Sequence, residues 1–96
     1  MLVDFSIFPV GKGESLSSDV AEAFQLIEQS GLPHEFHAMG TNIEGEWDEV
    51  MAVIKACRDR LLESSDRISI SIKIDDRKGA KNQMAQKVAS AKEKMR

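Results

Sequence analysis

Tyrosine is absent from this 96-residue chain, cysteine and tryptophan occur once each, and aromatic residues make up only 5% of it. A single cysteine, Cys57, excludes an internal disulfide framework and supplies too few thiolates for a zinc-type cluster. Cys57 lies instead in an apolar helical pattern, and it reads as a packed core thiol in a reducing, cytoplasmic compartment. Long apolar runs are also missing. Met1 to Val10 is apolar but interrupted by Asp4 and Ser6, with no basic leader, so neither a signal peptide nor a membrane span is predicted. The chain, 42% hydrophobic, is long enough for one modest core. A single domain over 1–96 is therefore expected, and self-association is a natural source of extra stability for a domain this small.

Basic residues are scarce in the first three quarters of the chain. Residues 1–76 hold six Lys/Arg against fifteen Asp/Glu, a balance of −9, whereas residues 77–96 hold seven against one, a balance of +6. A basic tail suits nucleic acid, an anionic membrane, or an acidic surface of the same or a neighbouring subunit. The acidic body would repel phosphates, so the last of these is favoured and neither nucleic acid nor membrane is expected as a partner.

Local patterns then order the chain. Val3, Phe5 and Ile7 alternate with Asp4, Ser6 and Phe8 over Leu2 to Pro9, the period of a strand covered on one face. Ser17 or Ser18 can cap a helix carrying Val20, Phe24 and Ile27 at i, i+4 and i+7, which Gly31 and Pro33 terminate. Two short strands, Glu35 to Met39 and Thr41 to Gly45, fit a hairpin around Gly40. A second helix from Trp47 aligns Val50, Met51, Ile54, Cys57 and Leu61 on one face, with Trp47 in the core or an interface. Ile68, Ile70, Ile72 and Ile74 alternate with Ser69, Ser71, Lys73 and Asp75, a strong strand signal. Beyond Gly79, Met84, Val88, Ala91 and Met95 form a thin apolar stripe on a basic C-terminal helix expected over 77–96.

The order β-α-β-β-α-β-α implies a ferredoxin-like βαββαβ sandwich of the α+β class, plus a C-terminal helix. Its four-stranded antiparallel sheet carries both crossover helices on one face. The other face is left open, with Phe8, His37 and Met39 beside Asp4, Ser6, Asn42, Glu44, Ser69, Ser71, Lys73 and Asp75.

Reactive constellations are sparse. The loop Pro9-Val10-Gly11-Lys12-Gly13-Glu14-Ser15 lacks P-loop spacing, and Glu14 opposes an anion, so it reads as a turn; the Ser15 hydroxyl can still donate to or accept from a ligand. His34 and His37 are three apart, which on a strand sends them to opposite faces, and no metal site is expected. His37 is a hydrogen-bonding or stacking group on the open face, or simply a solvated or interface histidine. Glu44 and Glu46 could form an acid/base pair, although Glu46 suits the start of the Trp47 helix better. No nucleophile has an adjacent base, so an enzyme is not expected. The RNA-recognition motif shares this element order, but the strands here offer only Phe5 and Phe8 as stacking platforms.

Several segments together resemble the small thiamine-binding protein family: Phe8-Pro9-Val10-Gly11, Ser15-Leu16-Ser17, Ser30-Gly31-Leu32, Met39-Gly40-Thr41-Asn42-Ile43-Glu44-Gly45-Glu46 and Lys73-Ile74-Asp75-Asp76-Arg77. The resemblance covers nearly the whole chain, and the hairpin segment is its most specific part. It implies a ferredoxin-like subunit that pairs through its sheet faces into a homodimer or homotetramer and binds thiamine or its hydroxymethylpyrimidine moiety, with no cofactor. Thiamine joins a flat aminopyrimidine to a cationic thiazolium. On this resemblance Phe8 and Met39 would cover ring faces, Ser15, Thr41 and Asn42 would read polar edges, and Glu44 would pair with the amino group or the positive ring. The expected function is a carrier, buffer or sensor; the alternative is a homo-oligomeric structural or regulatory module with no small ligand.

Overall fold

The structure is a computed structural model that describes residues 1–11 and 16–95, the side chains of Leu16 and Ser17 excepted. Its elements are β1 (Leu2–Pro9), α1 (Leu16–Gln29), β2 (His34–His37), β3 (Gly40–Glu44), α2 (Trp47–Leu62), β4 (Ile68–Asp75) and α3 (Gln83–Lys94). The strands form one sheet in the order β2-β3-β1-β4, each neighbour antiparallel. This is the ferredoxin-like sandwich with a C-terminal helix.

Register decides which residues meet the helices. Val3 lies between Ile43 and Ile74, and Phe5 between Thr41 and Ile72, so odd positions of β1 share a face with the isoleucines of β4. Helices α1 and α2 cover that face. Val3, Phe5 and Ile43 are buried there against Ala23 and Ile27 of α1 and Val50, Ile54, Cys57 and Leu61 of α2. The even positions, Asp4, Ser6 and Phe8 with Asn42, Ser71 and Lys73, lie on the opposite face.

Four details depart from the sequence reading. Helix α1 already begins at Leu16, which puts Ser17 and Ser18 inside its first turn. The hairpin turns at Ala38 and Met39, and Gly40 pairs with His37 as the first residue of β3. A Cβ at Gly40 would stand 2.8 Å from the Phe5 carbonyl oxygen, so the neighbouring strand demands a glycine here, as does the residue's own positive φ of 157° just after the turn. Of the two places read for Trp47, core or interface, the core is excluded, since it is 53% exposed at the start of α2. Ile72 and Ile74 lie on the helix-covered face yet stay 41% and 38% exposed, because β4 is an edge strand at the margin of the helix layer.

Helix α3 lies outside the core and buries none of its residues. The Glu44 carboxylate accepts the Gln83 and Met84 amide hydrogens at 2.7 and 3.2 Å, satisfying donors that a helix N-terminus leaves open. Lys87, one turn on, pairs with Asp75. The radius of gyration is 14.6 Å, against about 12.5 Å from chain-length scaling for a compact domain of this size. The excess reflects α3 standing outside the core, with Met84, Val88 and Lys92 turned toward Glu35 of β2.

Candidate functional site

A cleft of about 210 Å3 opens between α1, the C-terminal half of β1 and the β2–β3 turn, where β1 runs past the end of β3, so residues of both sheet faces, Ser6, Phe8 and His37 of the open one included, reach it. Its origin is local. Ala23 brings the α1 backbone over the sheet with little side-chain bulk, Val20 and Phe24 form one wall, and Phe5, Ile7 and Phe8 form the floor and far edge. Gly40 lets the hairpin approach β1 closely, and the turn residues Ala38 and Met39 close the remaining side. Phe24 is itself steadied by stacking on Phe36, with ring centroids 4.0 Å apart.

The polar groups sit at the rim and floor. Thr41 is 3% exposed and lines the cleft from below, while Ser6 lines it from β1. His37 Nε2 lies 2.9 Å from Asp4 Oδ1, and His37 Nδ1 accepts the Met39 amide hydrogen at 3.2 Å. Because Nδ1 is an acceptor, the neutral ring carries its proton on Nε2 and donates it to Asp4. The rim of an apolar cleft therefore carries an oriented imidazole and an exposed carboxylate behind it.

Of the seven residues singled out in the sequence, four converge here: Phe8, His37, Met39 and Thr41. Phe8 is 44% and Met39 84% exposed, so both present surface to a ligand. Ser15 lies outside the described residues. Asn42 sits on the open sheet face between Asp4 and Glu35, away from the cleft. Glu44 is 8% exposed, and its two oxygens are committed to the first amides of α3. Sequence reasoning assigned Val20, Phe24 and Ile27 to the core alone; their apolar spacing carries no sign that α1 also walls a cleft.

The remaining candidates settle into structural work. His34 donates from Nδ1 to the Leu32 carbonyl oxygen at 2.8 Å and lies on the helix-covered face, opposite His37. Glu46 is the N-cap of α2, where the Glu49 carboxylate accepts its amide hydrogen at 3.0 Å. Among the described residues no group of three or more His, Cys, Asp or Glu could hold a metal ion, and no helix is long and apolar enough to cross a membrane.

Fold and cleft together define an α/β sandwich with a ring-sized recess beneath its first helix, and comparison with known proteins gives that class a family. Residues 3–92 match the family model described as "Thiamine-binding protein", and the chain belongs to that family. It is 43% identical over 91 residues to a UPF0045 protein of Mycobacterium bovis, covering 94% of this chain and 89% of that one. A hypothetical protein of Methanocaldococcus jannaschii, known from its crystal structure, superposes with a TM-score of 0.87 at 36% identity over 96% of this chain and 95% of its own. A Bacillus cereus domain of unknown function superposes with a TM-score of 0.81 at 31% identity, covering 91% and 85%. This kinship suggests a role in binding small molecules.

Proposed function

We propose that the chain, acting as one domain over 1–96, binds the aminopyrimidine ring of thiamine or free hydroxymethylpyrimidine in the cleft beneath α1, as a carrier, buffer or sensor. The observation that carries this reading is the cleft's size and lining. At about 210 Å3 it is smaller than the ~300–1,000 Å3 of sites that enclose drug-sized ligands. One heteroaromatic ring fits that space better than a whole thiamine molecule. Phe8 and Phe24 offer faces to stack on, Met39 a soft cover, and Thr41, Ser6 and His37 the polar edge that an aminopyrimidine requires. The thiazolium would then lie outside the cleft, toward Asp4 and the acidic body. The exposed Phe8 and the polar open sheet face also favour a second copy as partner.

Calorimetry with thiamine and with hydroxymethylpyrimidine tests the reading directly. Both should bind, and Phe8→Ala should weaken each by about fivefold to 150-fold, since stacking a base on an aromatic side chain is worth roughly 1–3 kcal/mol. Phe8 is half-exposed, so the variant should keep its fold. No heat from the wild-type protein at millimolar ligand would remove the ligand and leave the homo-oligomeric module.

A further inference from the structure

The turn that closes one side of the cleft hangs on a single imidazole nitrogen, and we propose that protonation of His37 releases it, so that ligand is held in neutral solution and let go in mild acid. The inference rests on the cleft reading above and deepens it by naming how that site is regulated. His37 pairs with Gly40 across the turn, so only Ala38 and Met39 lie in the connection. Gly40 stands against the Phe5 carbonyl, which leaves movement to those two residues. Met39 is held by its amide hydrogen, donated to His37 Nδ1 at 3.2 Å, while on the far side of the ring Nε2 lies 2.9 Å from Asp4 Oδ1.

A neutral imidazole serves both contacts, accepting at Nδ1 and donating from Nε2, whereas an imidazolium carries a hydrogen on each nitrogen and accepts at neither. Asp4 takes the Nε2 hydrogen in either state, so the ring stays anchored while Nδ1 changes from acceptor to donor. Two N–H groups then face each other, and the Met39 amide must move. Its side chain has a second place to lie. Met39, 84% exposed, borders both the cleft and a hollow of about 130 Å3 on the open sheet face beside Asp4, Ser6 and Lys73. A cover with two seats and one protonatable latch is the two-state element that a histidine switch requires.

The surrounding charges leave the response to His37. From β1 the ring meets Asp4, whose neighbour on β4 is Lys73. Glu35 shares its face two residues back on β2, with Lys92 of α3 turned toward that carboxylate. On β3 the one charged residue, Glu44, is given to the amides of α3, and the described residues of α1 that line the cleft are uncharged. Of these side-chain types only imidazole ordinarily changes charge between about pH 5 and pH 8. By linkage, a ligand that needs the cover in place drives the proton off His37.

The full chain, wild type against His37→Asn, tests the proposal, because an asparagine carbonyl two residues before Met39 accepts the same amide hydrogen and does not titrate. In NMR spectra of the ligand-free wild type the Met39 amide resonance should move between about pH 8 and pH 5 as its hydrogen bond is lost, and in the variant it should stay. Calorimetry with thiamine over the same interval should show the wild type weakening by roughly twofold to tenfold more than the variant, the net worth of one hydrogen bond. Titration of the ligand's own ring is common to both proteins and cancels in that ratio. A wild-type Met39 amide that ignores pH, or equal weakening of the two proteins, would overturn the proposal. Sedimentation at both pH values supplies a third outcome: an assembly that changes with pH in the wild type and not in the variant would assign the Asp4–His37 pair to contact between copies, and overturns it as well. Absence of thiamine binding by either protein would end the ligand reading by itself, and the Met39 resonance would still decide whether the latch exists.

Discussion

Gly40 and Cys57 show how much of this molecule depends on single atoms. A methyl group at Gly40 would press on the Phe5 carbonyl oxygen at 2.8 Å, and that oxygen belongs to a central strand with no freedom to retreat. Gly40→Ala should therefore destabilise the protein by about 1–3 kcal/mol, a fall in Tm of roughly 5–20 °C for a domain of this size; an unchanged melting curve would show that the hairpin can shift. Cys57 is fully buried, and burial pushes its thiol up from 9.0 to about 11. A group whose folded pKa is raised contributes stability that is complete below its unfolded value and is lost as pH rises toward the folded one. Stability should accordingly fall between about pH 9 and pH 11, and a Cys57→Ala variant should lose that particular slope in pH-dependent denaturation. The thiol's core position is legible in the sequence because its helical spacing with Ile54 and Leu61 is local. The close approach at Gly40 is not, because its cause lies 35 residues away in Phe5.

At the scale of the element, the seven helices and strands follow from short-range periodicity, and the structure keeps them with end shifts of a few residues. Glu44 marks where that legibility stops. Its place in the hairpin made it a candidate for a cationic ligand, yet its oxygens serve amides 39 and 40 positions further on, a pairing no local pattern announces. Glu44→Ala should leave the sheet intact and free the root of α3, costing the ~0.5–2 kcal/mol of a lost helix cap. Amide exchange at Gln83 and Met84 should quicken while exchange in β1 and β3 stays slow. Slow exchange at both helix amides in the variant would show that the carboxylate does not hold α3. Lys87 adds a second tie and holds the Asp75 carboxyl below its usual pKa, so this pair persists into acid.

For the whole molecule the decisive quantity is the separation of charge between the acidic body and the basic C-terminal segment. An acidic body raises the local concentration of a cation by its long-range field, and that field is screened by salt with a Debye length of about 10 Å at 0.1 M. Thiamine carries a permanent positive charge on its thiazolium, whereas hydroxymethylpyrimidine is neutral near pH 7. If the aminopyrimidine fills the cleft and the thiazolium lies outside it toward Asp4, the two ligands share the same stacking and edge contacts and differ only in this exposed electrostatic part. Their affinities should then lie within about tenfold of each other at low salt, since exposed ion pairs are worth roughly 0–1 kcal/mol. Raising the salt from 20 to about 500 mM should weaken thiamine and leave hydroxymethylpyrimidine unchanged, until the two converge. Calorimetric titrations of both ligands across that range measure the difference directly. Thiamine binding that ignores salt would place its charged ring away from the acidic surface, and hydroxymethylpyrimidine that fails to bind while thiamine does would show that the thiazolium, and not the pyrimidine, occupies the cleft.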